Sequence, residues 1–423
     1  MPTLTRLDPA NLAAVQQDIA KLKTQRQRVQ LKSPLNDYRC ILHAHSYLSH
    51  DSRMTIPEIA EAANEVGVDA VFLTNHPRQT LDVVTAGQTG VVDGVLFVPG
   101  SEANGFLLYP GDGKLPPLNV PAQTLIDSIN QSNGLVFVAH PEEHKDWNLT
   151  GLTGMEIYNT HADFKDEKDL PRALNPLFGA KNLFEILNAF KQYPRPAFAA
   201  LGDEPRENLT RYDSIVANRP FAAIAANDTH QNTGFVFRGA EGVKVVVEDP
   251  LGDPMLTVDP ANVPELKALG EAVPGKELAR YVLDPYAVSL GYVSTHVLAK
   301  ERTKEALWQA LREGRTYVAF DWLADPKGTV FVVDKAGERT TIGSTVKMGS
   351  TRTLGLLIET PVPCEIRLVR DGKRLQIGHM DSGPTRRFVY LCEQPGNYRF
   401  EAYLNVGGER RPWIYSGVIR VVR

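Results

Sequence analysis

Three cysteines in 423 residues (Cys40, Cys364 and Cys392) are too few for a disulfide framework. Cys364 and Cys392 can still pair, but two buried free thiols suit the sequence better. No run of about 18 apolar residues occurs, which excludes a membrane-spanning helix. Basic residues are neither in excess nor clustered: 46 Lys+Arg against 50 Asp+Glu leaves a net charge of -4, so no nucleic-acid partner is expected. The opening Met1-Pro2-Thr3-Leu4-Thr5-Arg6 has no apolar secretory core. A cytoplasmic location is therefore the default expectation, although a signal removed beforehand would not show. A hydrophobic share of 43% lets the chain bury a core. Its length exceeds one ordinary core, so two domains, or a large barrel with an addition, are expected.

What the chain does have is histidine and carboxylate at the ends of apolar runs. Tyr38-Arg39-Cys40-Ile41 reads as the end of a strand, and Leu42-His43-Ala44-His45-Ser46-Tyr47-Leu48-Ser49-His50-Asp51 follows it. Residues two apart in a strand face the same way. His43 and His45 therefore offer two ring nitrogens to one side, a simple way to bind one metal ion. Thr55-Ile56-Pro57-Glu58 is a capping box opening a helix over 59–66, closed by Gly67. Residues 68–74 then form a buried strand ending in Asn75-His76-Pro77. Strand, loop, helix, strand is the pattern of a parallel sheet, whose strand carboxyl ends line the site.

The pattern recurs. Residues 95–101 lead to Glu102, and a helix over 122–131 and a strand over 135–139 lead to His140-Pro141. Residues 154–159 are a short strand that contains Glu156. After an excursion with charges at 165–169 and a helix over 181–191, the apolar run 222–226 ends in Asn227-Asp228-Thr229-His230. His43, His76, Glu102, His140 and Asp228 each lie just beyond an apolar run.

Outside this region, residues 8–31 read as a helix capped by Asp8, with Pro9 at its first position and Leu12, Val15, Ile19, Leu22 and Val29 on one stripe. It is expected to pack outside the main domain. Residues 249–274 read as an excursion, and 304–314 as a helix feeding 315–320. From residue 325 the texture is β-rich, with runs at 329–333, 353–359, 365–370, 387–392, 398–403 and 418–422. Asp371-Gly372 gives a hairpin signal there, and the spacing suits a small β-sandwich. His379 stands alone in it. The expected division is 1–33, 34–325 and 326–423.

Imidazoles and carboxylates without thiolates suit zinc, manganese or iron, and argue against a structural zinc site. Five histidines and two acids exceed the needs of one ion, so two or three divalent ions are expected, with Glu102 able to bridge. Ions a few ångströms apart share a hydroxide and stabilise both attacking and leaving oxygens. That is hydrolytic chemistry.

Taken together, these motifs resemble those of the PHP (polymerase and histidinol phosphatase) superfamily. His43-Ala44-His45 through Ser49-His50-Asp51 resembles its first motif, and Thr74-Asn75-His76 its second, usually Thr-Asp-His. Glu102 after Gly100-Ser101, His140-Pro141 and Asn227-Asp228-Thr229-His230 follow in the same order, over roughly residues 38–320. The resemblance implies an α/β fold, a distorted (β/α)7 barrel with a two- or three-metal site in its mouth, here followed by an all-β sandwich. It implies one ion on His43, His45, Glu102 and Asp228, a second on Glu102 and His140, and a third on His76, His230 and His50. Two positions depart from the pattern. No further histidine lies between Glu102 and His140, which leaves the second ion short of a ligand. Asn75 stands where aspartate is usual and reads as a supporting residue.

His50 and Asp51 compete for one ligand position. His50 is preferred, with Asp51 left as an acid–base or supporting group. His144 is a candidate proton donor to a leaving group, and Glu156 a candidate for substrate, metal or structure. Arg78 can grip a phosphate bidentately, and Lys145, Arg206 and Arg211 are further candidates. His161 and His296 read as structural. The leading expectation is a phosphoesterase acting on a small-molecule phosphate ester through a metal-bridging hydroxide. The alternatives are a metallohydrolase of amides, esters or carbamates, and a non-catalytic binding scaffold. The oligomeric state stays open.

Overall fold

Two sheets carry the candidate site. In the computed structural model, which describes residues 1–144, 146–166, 176–335, 337–350, 352–379 and 386–423, Asn36–Ile41 pairs in parallel with Ala70–Phe72, which pairs in parallel with Val95–Val98. On its other side Asn36–Ile41 runs antiparallel to Ser294–Ala299, and that strand antiparallel to Thr316–Ala319. The second sheet has the order Ser101–Ala103, Phe106–Tyr109, Leu135–Val138, Gly154–Asn159, Ala222–Ala226. Its strands are apolar and buried because both faces are covered. Cys40, Leu42, Phe72, Tyr109, Phe137 and Ile224 fill the space between the sheets.

At the strand ends the backbone knits the two sheets together. Asp228 N–H donates to His43 O at 3.1 Å, His45 N–H to Thr229 O at 3.1 Å, Thr74 N–H to Ala44 O at 2.8 Å and Glu102 N–H to Thr74 O at 3.1 Å. The fold is mixed α/β. Among the described residues the named strands form separate sheets and not one closed hydrogen-bonded barrel.

Several expectations need correction. The helix expected over 8–31 is Pro9–Gln25, preceded by a short helix Thr3–Arg6 and capped by the Asp8 side chain on the Ala10 N–H at 2.9 Å. Residues 26–31 lie outside the helix, because distant partners claim them: Leu31 N–H donates to Glu359 at 3.2 Å, and Leu31 is buried beside Val330 and Val332. The stretch read as an excursion belongs in part to a four-stranded antiparallel sheet of Gly234–Ala240, Lys244–Glu248, Pro254–Val258 and Glu277–Val282. Phe106–Tyr109 also went unread, although Asn104 and Gly105, at φ +55° and +79°, make the turn that an Asn-Gly hairpin signal announces. The three cysteines are buried and free. The charged residues 167–169 lie outside the described ones.

The β-rich C-terminal part is present as strands, and the Asp371-Gly372 hairpin joins Glu365–Arg370 to Lys373–His379. Glu409–Ser416 continues the first sheet through antiparallel pairing with Thr316–Ala319. The two N-terminal helices touch this part too: Gly407 N–H donates to Asp18 at 3.0 Å, and Arg6 Nη2 to Glu409 at 2.8 Å. No helix among the described residues is long and apolar enough to cross a membrane.

Beneath the site lies a second buried charge network. His296, 0% exposed, has Nδ1 2.7 Å from Asp37 and Nε2 3.1 Å from Asp321. Asp37 also accepts from Tyr317 at 2.6 Å, and Asp321 faces Arg39 at 3.2 Å. Burial works against protonating His296, but Asp37 and Asp321 outweigh it and lift its pKa to about 9. A group with a raised folded pKa stabilises fully below its unfolded value, about 6.5, and loses that stabilisation as pH climbs through the folded value. The melting temperature should therefore fall between pH 6.5 and 9.5, and fall less in His296→Asn. Thermal melts of both proteins across that range check this.

Candidate metal centre

Most of the site residues are delivered by strand ends, with Glu102 inside the short strand Ser101–Ala103 and Asp51 in a loop. His43 and His45 follow Asn36–Ile41 and are wholly buried. Asp228 follows Ala222–Ala226, and His140 follows Leu135–Val138. Both have left-handed backbones, at φ +50° and +46°. Such φ values are sparsely populated, though Asp and His tolerate them better than most residues, and they cluster at functional sites. They turn the chain sharply enough to aim each side chain inward.

His43 Nε2 lies 3.1 Å from Glu102 Oε2 and 3.1 Å from Asp228 Oδ1, and His45 Nε2 lies 3.4 Å from each of the same oxygens. Glu102 Oε1 faces His140 Nε2 at 3.0 Å, and Asp228 Oδ2 faces it at 3.4 Å. A second group forms around Asp51, whose Oδ2 is 3.2 Å from both His76 Nε2 and His230 Nε2. One potential ligand atom from each of His43, His45, Glu102 and Asp228 lies within 4.8 Å of the others, and the same holds for His45, Asp51, His76 and His230. His45 belongs to both groups.

These atoms fit cations. His45 Nε2, Asp228 Oδ1 and His230 Nε2 are buried without a well-formed hydrogen bond, which is costly unless something else satisfies them. The donor set of imidazole and carboxylate is one that divalent transition metals accept. Electrostatics agree. Burial opposes charge on His43, but Asp228, Glu102 and Glu156 raise its pKa well above the ordinary value. His140 is lifted against burial by Glu102 and Glu142 to about 11. Glu102, Asp228 and Asp51 are held well below the usual carboxylate range, because histidines around them outweigh the cost of burial. The pocket calls for positive charge.

The structure sorts the expected residues. His43, His45, Glu102, His140 and Asp228 meet in one cluster, with His76, His230 and Asp51 beside it. His50 is turned outward, its side chain 73% exposed and its Nε2 3.9 Å from Asp51. Glu156 is 0% exposed and sits behind His43, 2.7 Å from Nδ1. His144 is packed edge-on against Phe106 and Trp147, and burial lowers its pKa. Arg78 Nη2 donates to Ser49 O at 2.7 Å and so braces the histidine loop. Arg206 pairs with Glu204, Arg211 covers the Trp147 ring, and Lys145 lies outside the described residues. His161 has its ring 6.1 Å from that of His230.

Supporting residues hold the loops, Asn75 as its motif position implies and Ser49 and Tyr286 with no motif to mark them. Asn75 Oδ1 accepts from Ser46 N–H at 2.7 Å, and Ser49 Oγ accepts from His76 N–H at 3.1 Å. The buried Tyr286 hydroxyl joins His45 O, Thr229 O and Ser52 Oγ, tying two loops to the start of the helix Tyr286–Leu290. No spacing rule marks Tyr286, because its partners lie far away in the chain.

No protein-family model matches the sequence, and no curated protein matches it. Among solved structures, one similar chain is a two-domain protein from Bacteroides vulgatus ATCC 8482 described as containing a predicted PHP-like metal-dependent phosphoesterase. It is 14% identical, with 93% of this chain and 98% of that one covered and a TM-score of 0.39. Another is Bacteroides uniformis beta-glucuronidase 2, at 10% identity, 90% and 46% coverage and a TM-score of 0.17.

Proposed function

We propose that this chain is a metal-dependent phosphoesterase acting on a small-molecule phosphate ester, with two or three divalent ions (zinc, manganese or iron) held by the cluster. The observation that carries the reading is Glu102, whose two oxygens face different imidazoles, His43 at 3.1 Å and His140 at 3.0 Å, as a bridging carboxylate would. His43, His45, Glu102 and Asp228 would hold one ion, and Glu102 and His140 a second. His76, His230 and Asp51, with His45 beside them, would hold a third. Ions bound there supply a Lewis acid, acidify water and neutralise charge building at phosphorus. The chain fixes their positions in a pocket from which His43 and His45 are shielded from solvent. The resemblance to the PHP motifs supports the same reading. On it, the two sheets form an opened, distorted (β/α)7 barrel within 34–325, the first helix belongs to 1–33, and the strands after residue 326 form a sandwich.

Elemental analysis paired with turnover of an aryl phosphate and its aryl ester analogue tests this. At least two ions per chain and phosphate turnover are expected. Ester turnover alone would move the activity to another hydrolysis, and a chain that stays metal-free with zinc or manganese supplied would sink the enzyme reading.

Between the two rivals in the loop, this reading assigns the ligand to Asp51. Asp51→Asn should lose one ion and slow turnover by at least ~100-fold, the upper end of what losing an outer partner costs. His50→Ala should stay within roughly twofold, as for exposed positions worth about 0.5 kcal/mol. Parallel metal counts and initial rates on the two variants check the assignment.

A further inference from the structure

We propose that Glu156 is a positioning residue for two metal positions at once, holding His43 through its ring and His140 through its backbone. The inference rests on the metal-dependent reading above. Glu156 Oε1 lies 2.7 Å from His43 Nδ1, while Oε2 accepts from the His140 N–H at 2.9 Å and from Asn159 Nδ2 at 2.9 Å. The carboxylate is 0% exposed, so its oxygens serve buried donors and meet no solvent-borne substrate.

An ionised carboxylate at Nδ1 keeps the proton on that nitrogen and leaves the Nε2 lone pair for a cation. His43 Nε2 faces Glu102 and Asp228, each at 3.1 Å. The same residue pins the amide of His140, whose φ of +46° is an uncommon conformation. The strand register shifts between Glu156 and Tyr158, as a bulge that re-aims side chains beside a site would make it do. One side chain thus couples the ion on His43 to the ion on His140.

Glutamine keeps the shape but has one acceptor oxygen and an NH2 that only donates. Either His43 Nδ1–H or the His140–Asn159 pair then faces a donor. The full chain and its E156Q variant are titrated with zinc against a competing chelator, with bound metal read by elemental analysis and the His43 Nδ1 proton followed by NMR in the zinc-loaded state. E156Q is expected to bind two of the ions about 10–100-fold more weakly, whereas His140→Ala should weaken one. The Nδ1 proton should resonate far downfield in wild type and move upfield in E156Q. Wild-type loading with an unchanged E156Q overturns the positioning role alone. A wild-type chain that takes up no zinc overturns this role together with the metal reading. If E156Q fails to fold, the wild-type spectrum decides, because a zinc-loaded chain without a downfield His43 Nδ1 proton overturns the proposal.

Discussion

Asp228→Asn is expected to strip the cluster of metal while leaving the chain folded. Asp228, like Glu102, is a carboxylate that several imidazoles share: Oδ1 lies 3.1 Å from His43 and 3.4 Å from His45, and Oδ2 lies 3.4 Å from His140. Asparagine tolerates the left-handed backbone at this position, which makes it a better probe than alanine, which lacks the short polar side chain that eases that conformation. It removes the charge and turns one oxygen into an NH2 that faces ring nitrogens and can only donate. Metal per chain should drop below one after dialysis, and turnover of an aryl phosphate should fall by more than ~100-fold, beyond the cost of losing a mere outer partner. Far-UV circular dichroism should match wild type, since Ala222–Ala226 and its neighbours pair through backbone bonds that the change does not touch. An Asp228→Asn protein that keeps two or more ions would remove Asp228 from the ligand set.

The sequence made the inward residues legible because strand ends turn apolar runs into pointers. His43, Glu102, His140 and Asp228 each follow such a run and each reach the cluster. Choice between neighbours was less legible. His50 and Asp51 sit in an irregular loop where the two-residue alternation of a strand no longer says which side chain turns inward, and Asp51 is the one that meets His76 and His230. Glu156 was ambiguous for a similar reason, since the register shift beside it breaks the alternation that would have aimed it. Residues 26–31 carried a helical stripe, but Glu359, more than three hundred residues away, takes the backbone N–H of Leu31 beyond the end of the helix. The four-stranded sheet between Gly234 and Val282 was hidden by proline, glycine and aspartate at its turns. Its inward alternation, with Val245 and Val247 buried between exposed or half-exposed neighbours, is short and easily lost in such a stretch.

Stability should respond strongly to Gly154→Ala. Gly154 opens the strand that bears Glu156 and lies between Leu135–Val138 and Ala222–Ala226. A Cβ there would sit 2.3 Å from Ala222 O and 2.9 Å from Phe137 Cδ1. The first contact is with backbone, which cannot swing aside as a flexible side chain can, so the two strands must part. Overpacking of this kind costs typically 1–3 kcal/mol, occasionally more. At about 2.1 cal/mol/K per residue, a loss of ~3 kcal/mol lowers the melting temperature of a cooperative unit this large by about 3 °C. One strand carries Glu156 and the other leads into Asp228, so weaker zinc binding should accompany the lower melting temperature. Gly355→Ala is the control: its Cβ would meet only Asp334 O, at 3.7 Å, an ordinary contact, and alanine reduces the freedom of the unfolded chain. Thermal melts and zinc titrations of the two variants should therefore diverge. If Gly154→Ala melts and binds like Gly355→Ala, the spacing between these two strands does not set the geometry of the metal cluster.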